Sequence, residues 1–181
     1  MSCGINQRTV ESWISILEAS YIIYLLQPYH ENFNKRVIKT PKIYFYDTGL
    51  ACSLLGINSA DELAFSSMKG HMFEALIISD FYKQFYNLGS NPSLYFWRDK
   101  NGYIEIDCII DRGLKLIPVE IKSGATERSE FFDSLNKWNE LAKTDASNGY
   151  VVYNGDQVQI RKGGNLVGWQ SAGSLAAKLI K

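Results

Sequence analysis

YIEIDCIIDRGLKLIPVEIK, residues 103–122, is the stretch that decides how the chain is read. Two runs of alternating apolar and polar residues flank Asp111-Arg112-Gly113-Leu114, and Arg112-Gly113 suits a two-residue hairpin turn, the glycine supplying the positive φ. In that register Ile104 faces Ile121, Ile106 faces Val119 and Cys108 faces Ile117, so one face is continuously apolar. The other face sets Tyr103 against Lys122 and Glu105 against Glu120, with Asp107 diagonal to Glu120. A slip of one residue would scatter the carboxylates over both faces. Pro118 removes a ladder donor and points to a bulge at that position. Like charges directly opposite on a sheet cost about 0.2–1 kcal/mol. Two readings fit such a patch: carboxylates that hold a hard divalent cation, or a solvated strand face with a Glu–Lys pair.

Upstream, residues 70–87 read as a helix whose Ile77, Ile78, Phe81, Phe85 and Leu88 form one apolar stripe. Glu74 falls in the middle of that stripe, and neither Lys nor Arg stands at 70, 71, 77 or 78 to pair with it along the helix. A buried acid needs a partner. Either it bonds to sheet backbone, or it reaches over the strand patch as a further metal or general-base group. In the second case the helix must lie on the face carrying the acids, with Glu74 near Lys122 or a bound cation, and at least one crowded carboxylate should resist ionisation. Further strands are expected at 94–98, 150–153 and 158–160, and helices at 129–143 and 172–180. The order α-β-β-β-α-β makes residues 61–181 an α/β domain, a mixed sheet with helices on both faces.

Residues 1–60 read differently. Val10, Trp13, Ile14 and Leu17 mark a helix with Asn6 as its N-cap. Two β-rich runs follow, at 21–26 and 42–46, around a polar loop; residues 47–56 are a short helix closed by Gly56, and 57–65 a connector. A helix and two strands are the back half of a winged helix whose front half is missing, so the chain is expected to be a fragment of something longer. Lys35, Arg36, Lys39 and Lys42 lie where the wing would be and could touch DNA phosphates. With 19 basic and 19 acidic residues in 181, no whole-molecule field draws in a polyanion. No apolar run approaches the roughly 18 residues of a membrane span, and three widely spaced cysteines read as reduced thiols of a cytoplasmic protein.

Glu74, then Asp107, then Glu120-x-Lys122 resembles the motif of the PD-(D/E)XK nucleases, and the element order resembles their restriction-endonuclease-like fold. TVESWISILEASYIIYLLQPY, KTPKIYFYDTGLACSLLG, FWRDKNGYIEIDCII and LIPVEIKSG are similar to the C-terminal region of a group of bacterial and archaeal AAA-type ATPases, in which a P-loop module precedes a winged helix and a nuclease-like domain. The resemblance implies catalytic roles for Glu74, Asp107, Glu120 and Lys122, and magnesium or manganese on Asp107, Glu120 and the Ile121 carbonyl. It further implies DNA as partner, ATP bound only by the absent module, and homo-oligomers formed through that module. No GxxxxGK[ST] loop occurs here. Ile106 stands where the motif has proline, and Asn136 or Lys137 is a loose match to a polar residue on the following helix. The alternative is a non-catalytic DNA- or protein-binding module that keeps the nuclease fold.

Overall fold

The computed structural model describes residues 4–30 and 40–180. In chain order its helices and strands are α1 (Gln7–Ala19), β1 (Ile23–Pro28), β2 (Lys42–Phe45), α2 (Thr48–Leu54), α3 (Ala60–Phe65), α4 (Lys69–Asn87), β3 (Leu94–Arg98), β4 (Glu105–Asp111), β5 (Leu116–Lys122), α5 (Asp133–Ala142), β6 (Tyr150–Tyr153), β7 (Val158–Arg161), β8 (Gly164–Gly168) and α6 (Ala172–Ile180). The strands make one mixed sheet, ordered β2-β1-β3-β4-β5-β6-β8-β7. The links β1–β3, β5–β6 and β6–β8 are parallel and the other four antiparallel. None of the described helices is long and apolar enough to cross a membrane.

Two cores sandwich this sheet. On one side Ile77, Ile78, Phe81 and Phe85 of α4, with Leu175 and Ala176 of α6, pack on Cys108, Ile110, Ile117, Val119 and Ile121. On the other, Leu135 and Trp138 of α5 pack on Trp97, Ile106, Ile109, Val151 and Leu166. Trp97 and Trp138 meet edge-on, ring centroids 5.3 Å apart, both fully buried. The helical period of α4 is therefore spent as its sequence suggests, on a sheet.

The β4–β5 pairing differs from the expected register by two residues. Cys108 faces Val119 and Ile110 faces Ile117. The turn is centred on Gly113-Leu114, with Arg112 N–H donating to Lys115 O at 2.9 Å and Gly113 at φ 72°. Glycine first, with positive φ, suits a two-residue hairpin turn of the II′ kind. Pro118 sits in register opposite Ile109 without a bulge. The bulge lies on the other side of β4, where Tyr95 pairs with Ile109 but Trp97 pairs with Ile106. Asp107 and Cys108 together oppose Phe96, and alternation restarts there. The expected continuous apolar face is accordingly broken: Ile104 and Ile106 join the α5-side core, Cys108 the α4-side core.

The hairpin read as a wing is the outer pair of this same sheet, joined through Gln27↔Tyr95 and Pro28↔Phe96. Asn6 caps α1 as expected, accepting from Arg8 N–H at 2.9 Å, yet α1 buries none of its residues. Lys35, Arg36 and Lys39 lie outside the described residues. The connector 57–65 contains α3, capped by the Ser59 hydroxyl. An unexpected strand, β8, sits between β6 and β7, closed by glycines. A Cβ on Gly168 would lie 2.6 Å from the Gly155 carbonyl oxygen, so no side chain fits there.

Replacing Trp138 by Ala should cost about 3–5 kcal/mol, the range for truncating a buried aromatic. Leu114→Ser, at a fully exposed turn position, should stay within about 0.5 kcal/mol. Urea midpoints of the two variants against the parent protein check both.

Candidate functional site

The ladder between β4 and β5 stops at Cys108–Val119, and beyond it side chains take over from backbone. Asp107 Oδ2 accepts the Ile121 N–H at 2.8 Å, filling the place of the next ladder bond. Ile117, Val119 and Ile121 point into the α4-side core, so alternation sends Glu120 and Lys122 to the other side of β5. Glu120 is buried, its side chain 2% exposed, with Oε2 held by Lys122 Nζ at 2.5 Å. Its Oε1 is also buried and has no hydrogen-bond partner among the described residues. Glu74, Asp107, Ile121 and Lys122 line one open recess of about 400 Å³ at this end of the sheet.

α4 lies on the face carrying Ile117, Val119 and Ile121, not on the face expected to hold Glu120 and Lys122. Glu74 shares the recess with Lys122, but its bonds go elsewhere. Lys42 Nζ donates to Glu74 Oε1 at 3.0 Å, and the Tyr44 hydroxyl donates to the same oxygen. The same Lys42 ammonium is 2.7 Å from Glu105 Oε1 and 5.1 Å from the centre of the Phe96 ring. Glu105 is also gripped by the Arg98 fork, Nε to Oε2 at 2.6 Å and Nη2 to Oε1 at 2.7 Å. An adjoining cavity of about 700 Å³ is lined by Lys42, Tyr44, Glu74, Arg98, Glu105 and Asp107.

The site therefore has two halves. Glu74 Oε1 and both oxygens of Glu105 are held by fixed donors, while Asp107 and Glu120 have one cation, Lys122, and an orphan oxygen between them. Burial holds the Asp107 carboxyl well above the usual range, helped by Glu120 and Glu74 and opposed by Lys122 and the Ile121 N–H. Burial also raises Glu120, helped by Glu105 and opposed by Lys122 and the Asp107 backbone N–H. The direction is the one expected of crowded acids, but burial rather than crowding is its larger cause. Burial works against the charge on Lys42 and Lys122, but their carboxylate partners outweigh it and both are raised. Burial and Glu74 push the Tyr44 hydroxyl far up, so it donates at any ordinary pH.

Among the described residues no three of His, Cys, Asp and Glu converge closely enough to hold a metal ion unaided. Magnesium asks for less, one or two carboxylates with several retained waters. Asp107, Glu120 and the Ile121 carbonyl fit that demand, since two acids that resist losing their protons and one unpartnered buried oxygen are what a hard cation relieves. Asn136 opens into a different cavity, beside Glu127 and Arg161, away from the recess. Tyr44 escaped the sequence reading, and Lys42 was read as a cation that could touch DNA phosphates, whereas its ammonium is held by Glu74 and Glu105. One signal was available for both as members of the site. Lys42 and Tyr44 share a face of β2, and it is Ile43 between them that is exposed.

A family profile described as Domain of unknown function (DUF4143) matches residues 69–171, and another, Domain of unknown function (DUF8612), matches residues 1–61. The chain is 30% identical over 125 residues to Uncharacterized protein Rv2008c of Mycobacterium tuberculosis and to Uncharacterized protein Mb2031c of Mycobacterium bovis. Each match covers 69% of this chain and 27% of the relative, so the chain spans about a quarter of the length of these proteins.

Because Asp107 and Glu120 keep protons in the folded state that the unfolded chain has already released, metal-free stability should fall as pH rises through and above the ordinary carboxylate range. Asp107→Asn retains an acceptor for Ile121 N–H and removes a charge. It should be more stable than the parent near neutral pH and gain little near pH 4. Urea midpoints in chelator, from about pH 4 to about pH 8, test the sign.

Proposed function

The chain belongs to the DUF4143 family, and we propose that its β4–β5 site is a metal-dependent phosphodiesterase acting on DNA, on a restriction-endonuclease-like variant of the observed sheet. The observation that carries the reading is the buried, unpartnered Glu120 Oε1 beside Asp107 and Lys122 at the point where the two strands part. The retention of Glu74, Asp107, Glu120 and Lys122 in the order of the nuclease motif supports it, as does a sheet flanked by α4 and α5.

In this reading Asp107, Glu120 and the Ile121 carbonyl would hold magnesium or manganese. Such an ion supplies Lewis-acid polarisation of a phosphoryl oxygen and a more acidic bound water. Lys122 stays protonated against its two acids and is placed to stabilise charge on a scissile phosphate and to orient an attacking water. Asp107 is fixed from behind by the Ile121 N–H, so its remaining oxygen is the one offered to the recess. Glu74 keeps the recess acidic at its mouth and anchors Lys42. Lys35, Arg36 and Lys39 are proposed to contact phosphates away from the cut, and ATP binding belongs to an AAA-type module of a longer protein, which would also carry any homo-oligomeric assembly.

One observation favours the rival reading of a non-catalytic binding module. Lys122 is already committed to Glu120, and a lysine so paired must be released by the incoming ion before it can serve a phosphate. A calorimetric manganese titration that shows no binding decides for that module.

Cleavage of supercoiled, linear and branched DNA with manganese tests the leading reading. Lys122→Ala and Asp107→Ala should each slow cleavage by roughly 10²-fold or more, with unchanged circular dichroism. Equal rates for wild type and Lys122→Ala would refute catalysis at this site.

A further inference from the structure

Where the start of β1 meets the C-terminal half of α4, five tyrosines and one glutamate line an open cavity of about 280 Å³. Tyr24 and Tyr82 are its buried members, ring centroids 4.2 Å apart. Tyr46 stands edge-on to Tyr82, centroids 6.3 Å apart and planes at 87°. Tyr21 and Tyr86 extend the aromatic walls, 6.0 Å from Tyr46 and 6.4 Å from Tyr82 respectively. Glu18 supplies the charge, and among the described residues no Lys, Arg or His lines the cavity. Burial raises the hydroxyls of Tyr24, Tyr46 and Tyr82, so these rings are neutral at working pH.

One wall stands on strained backbone. α1 ends in a Schellman turn, with Tyr21 N–H donating to Glu18 O and Ile22 N–H to Leu17 O, both at 3.0 Å. The left-handed position of such a turn usually holds glycine, and here it holds Tyr21, at φ 55°. Tyr21 is also 70% exposed, so packing does not offset the conformational cost. A strained residue that the fold does not bury points to a ligand.

We propose that this cage binds an alkylammonium group, held by the π faces of Tyr21, Tyr46, Tyr82 and Tyr86 and by the Glu18 carboxylate. Aromatic faces attract a cation through the ring quadrupole, and cages of them recognise quaternary and methylated amines. Walls set at right angles suit a compact, tetrahedral cation, whereas a flat guanidinium stacks on a single face. A carboxylate beside the rings adds Coulomb attraction and excludes an anion. The group could be carried by a lysine-type side chain of another protein or by a free amine. The cage shares no residue with the β4–β5 site and needs no metal.

The test is an NMR titration of backbone amides in chelator with choline chloride, against its uncharged isostere 3,3-dimethyl-1-butanol and against sodium chloride. Choline should shift the amides around Tyr21 and Tyr46 to saturation, and neither control should. Tyr21→Phe keeps the π face and should bind choline as the parent does. Tyr21→Gly should weaken choline binding by about two- to fivefold, the worth of one exposed ring, while its urea midpoint stays at or above the parent's. Glu18→Gln should weaken binding as well. Choline shifts no larger than those of sodium chloride, or equal saturation by the alcohol, would overturn the proposal. So would a Tyr21→Gly variant that binds choline like the parent. Should that variant be unfolded, Glu18→Gln decides, and unchanged affinity overturns the cage. A glycine-flanked trimethyllysine peptide separates the two sources. Tighter binding than choline assigns the group to a protein side chain, weaker binding to a free amine, and either supports the ammonium site.

Discussion

Where β4 passes Phe96 it carries two residues, Asp107 and Cys108, against one, and everything at the candidate site follows from that extra residue. It resets the alternation, so that Cys108 and Ile110 enter the α4-side core while Ile106 and Ile109 enter the other. It also turns Asp107 toward α4, within reach of the recess that Glu74 lines, and lets its carboxylate take the Ile121 N–H. The ladder then cannot continue, because one of its donors is spent on a side chain. The gap between β4 and β5 is where Glu120 becomes buried, with Oε2 on Lys122 and Oε1 without a hydrogen-bond partner among the described residues. A regular strand would have zipped these residues into ordinary pairs.

Much of this was legible, and the unread part has a definite physical character. Glu74 stands out because helical phase is a property of one element, and α4 buries Ile77, Ile78, Phe81 and Phe85 of the expected stripe, while Leu88 lies exposed just past its end. Strand parity is likewise local, so the sorting of Val119 and Ile121 from Glu120 and Lys122 holds. Register is not local. A slip of two residues leaves every side chain on its original face, so the apolar pattern cannot tell Cys108–Ile117 from Cys108–Val119. The bulge left only a faint mark, the doubled Ile109-Ile110 that breaks the alternation of Glu105 to Cys108. The partner of Glu74 was out of reach for another reason: Lys42 lies 32 residues away, and only the docking of the β1–β2 hairpin brings them together. β8 was missed because glycine and asparagine carry weak strand preference, although the glycine at 168 is required by the backbone packed against it.

The electrostatics of the site follow from shared burial rather than from any one pair. Each half has its own lysine, and each lysine is more firmly charged than it would be in water because its acids outweigh desolvation. Asp107 has the least support, one backbone donor and a lysine that belongs first to Glu120. It is therefore the group whose state answers to whatever enters the recess.

The seam between the two family segments does not coincide with a seam in the sheet. A chain begun after residue 61 would lose β1 and β2, leaving β3, with its run Leu94-Tyr95-Phe96-Trp97, as a naked flank. Unpaired main-chain groups on such an apolar flank invite other chains to zip onto it. Self-association, rather than simple loss of order, is the expected fate of the isolated second segment. The hairpin acts as a cover strip for the half of the chain that carries the acids. Since it docks across a long sequence separation, it would close late in folding, when that flank has the most opportunity to meet a neighbour.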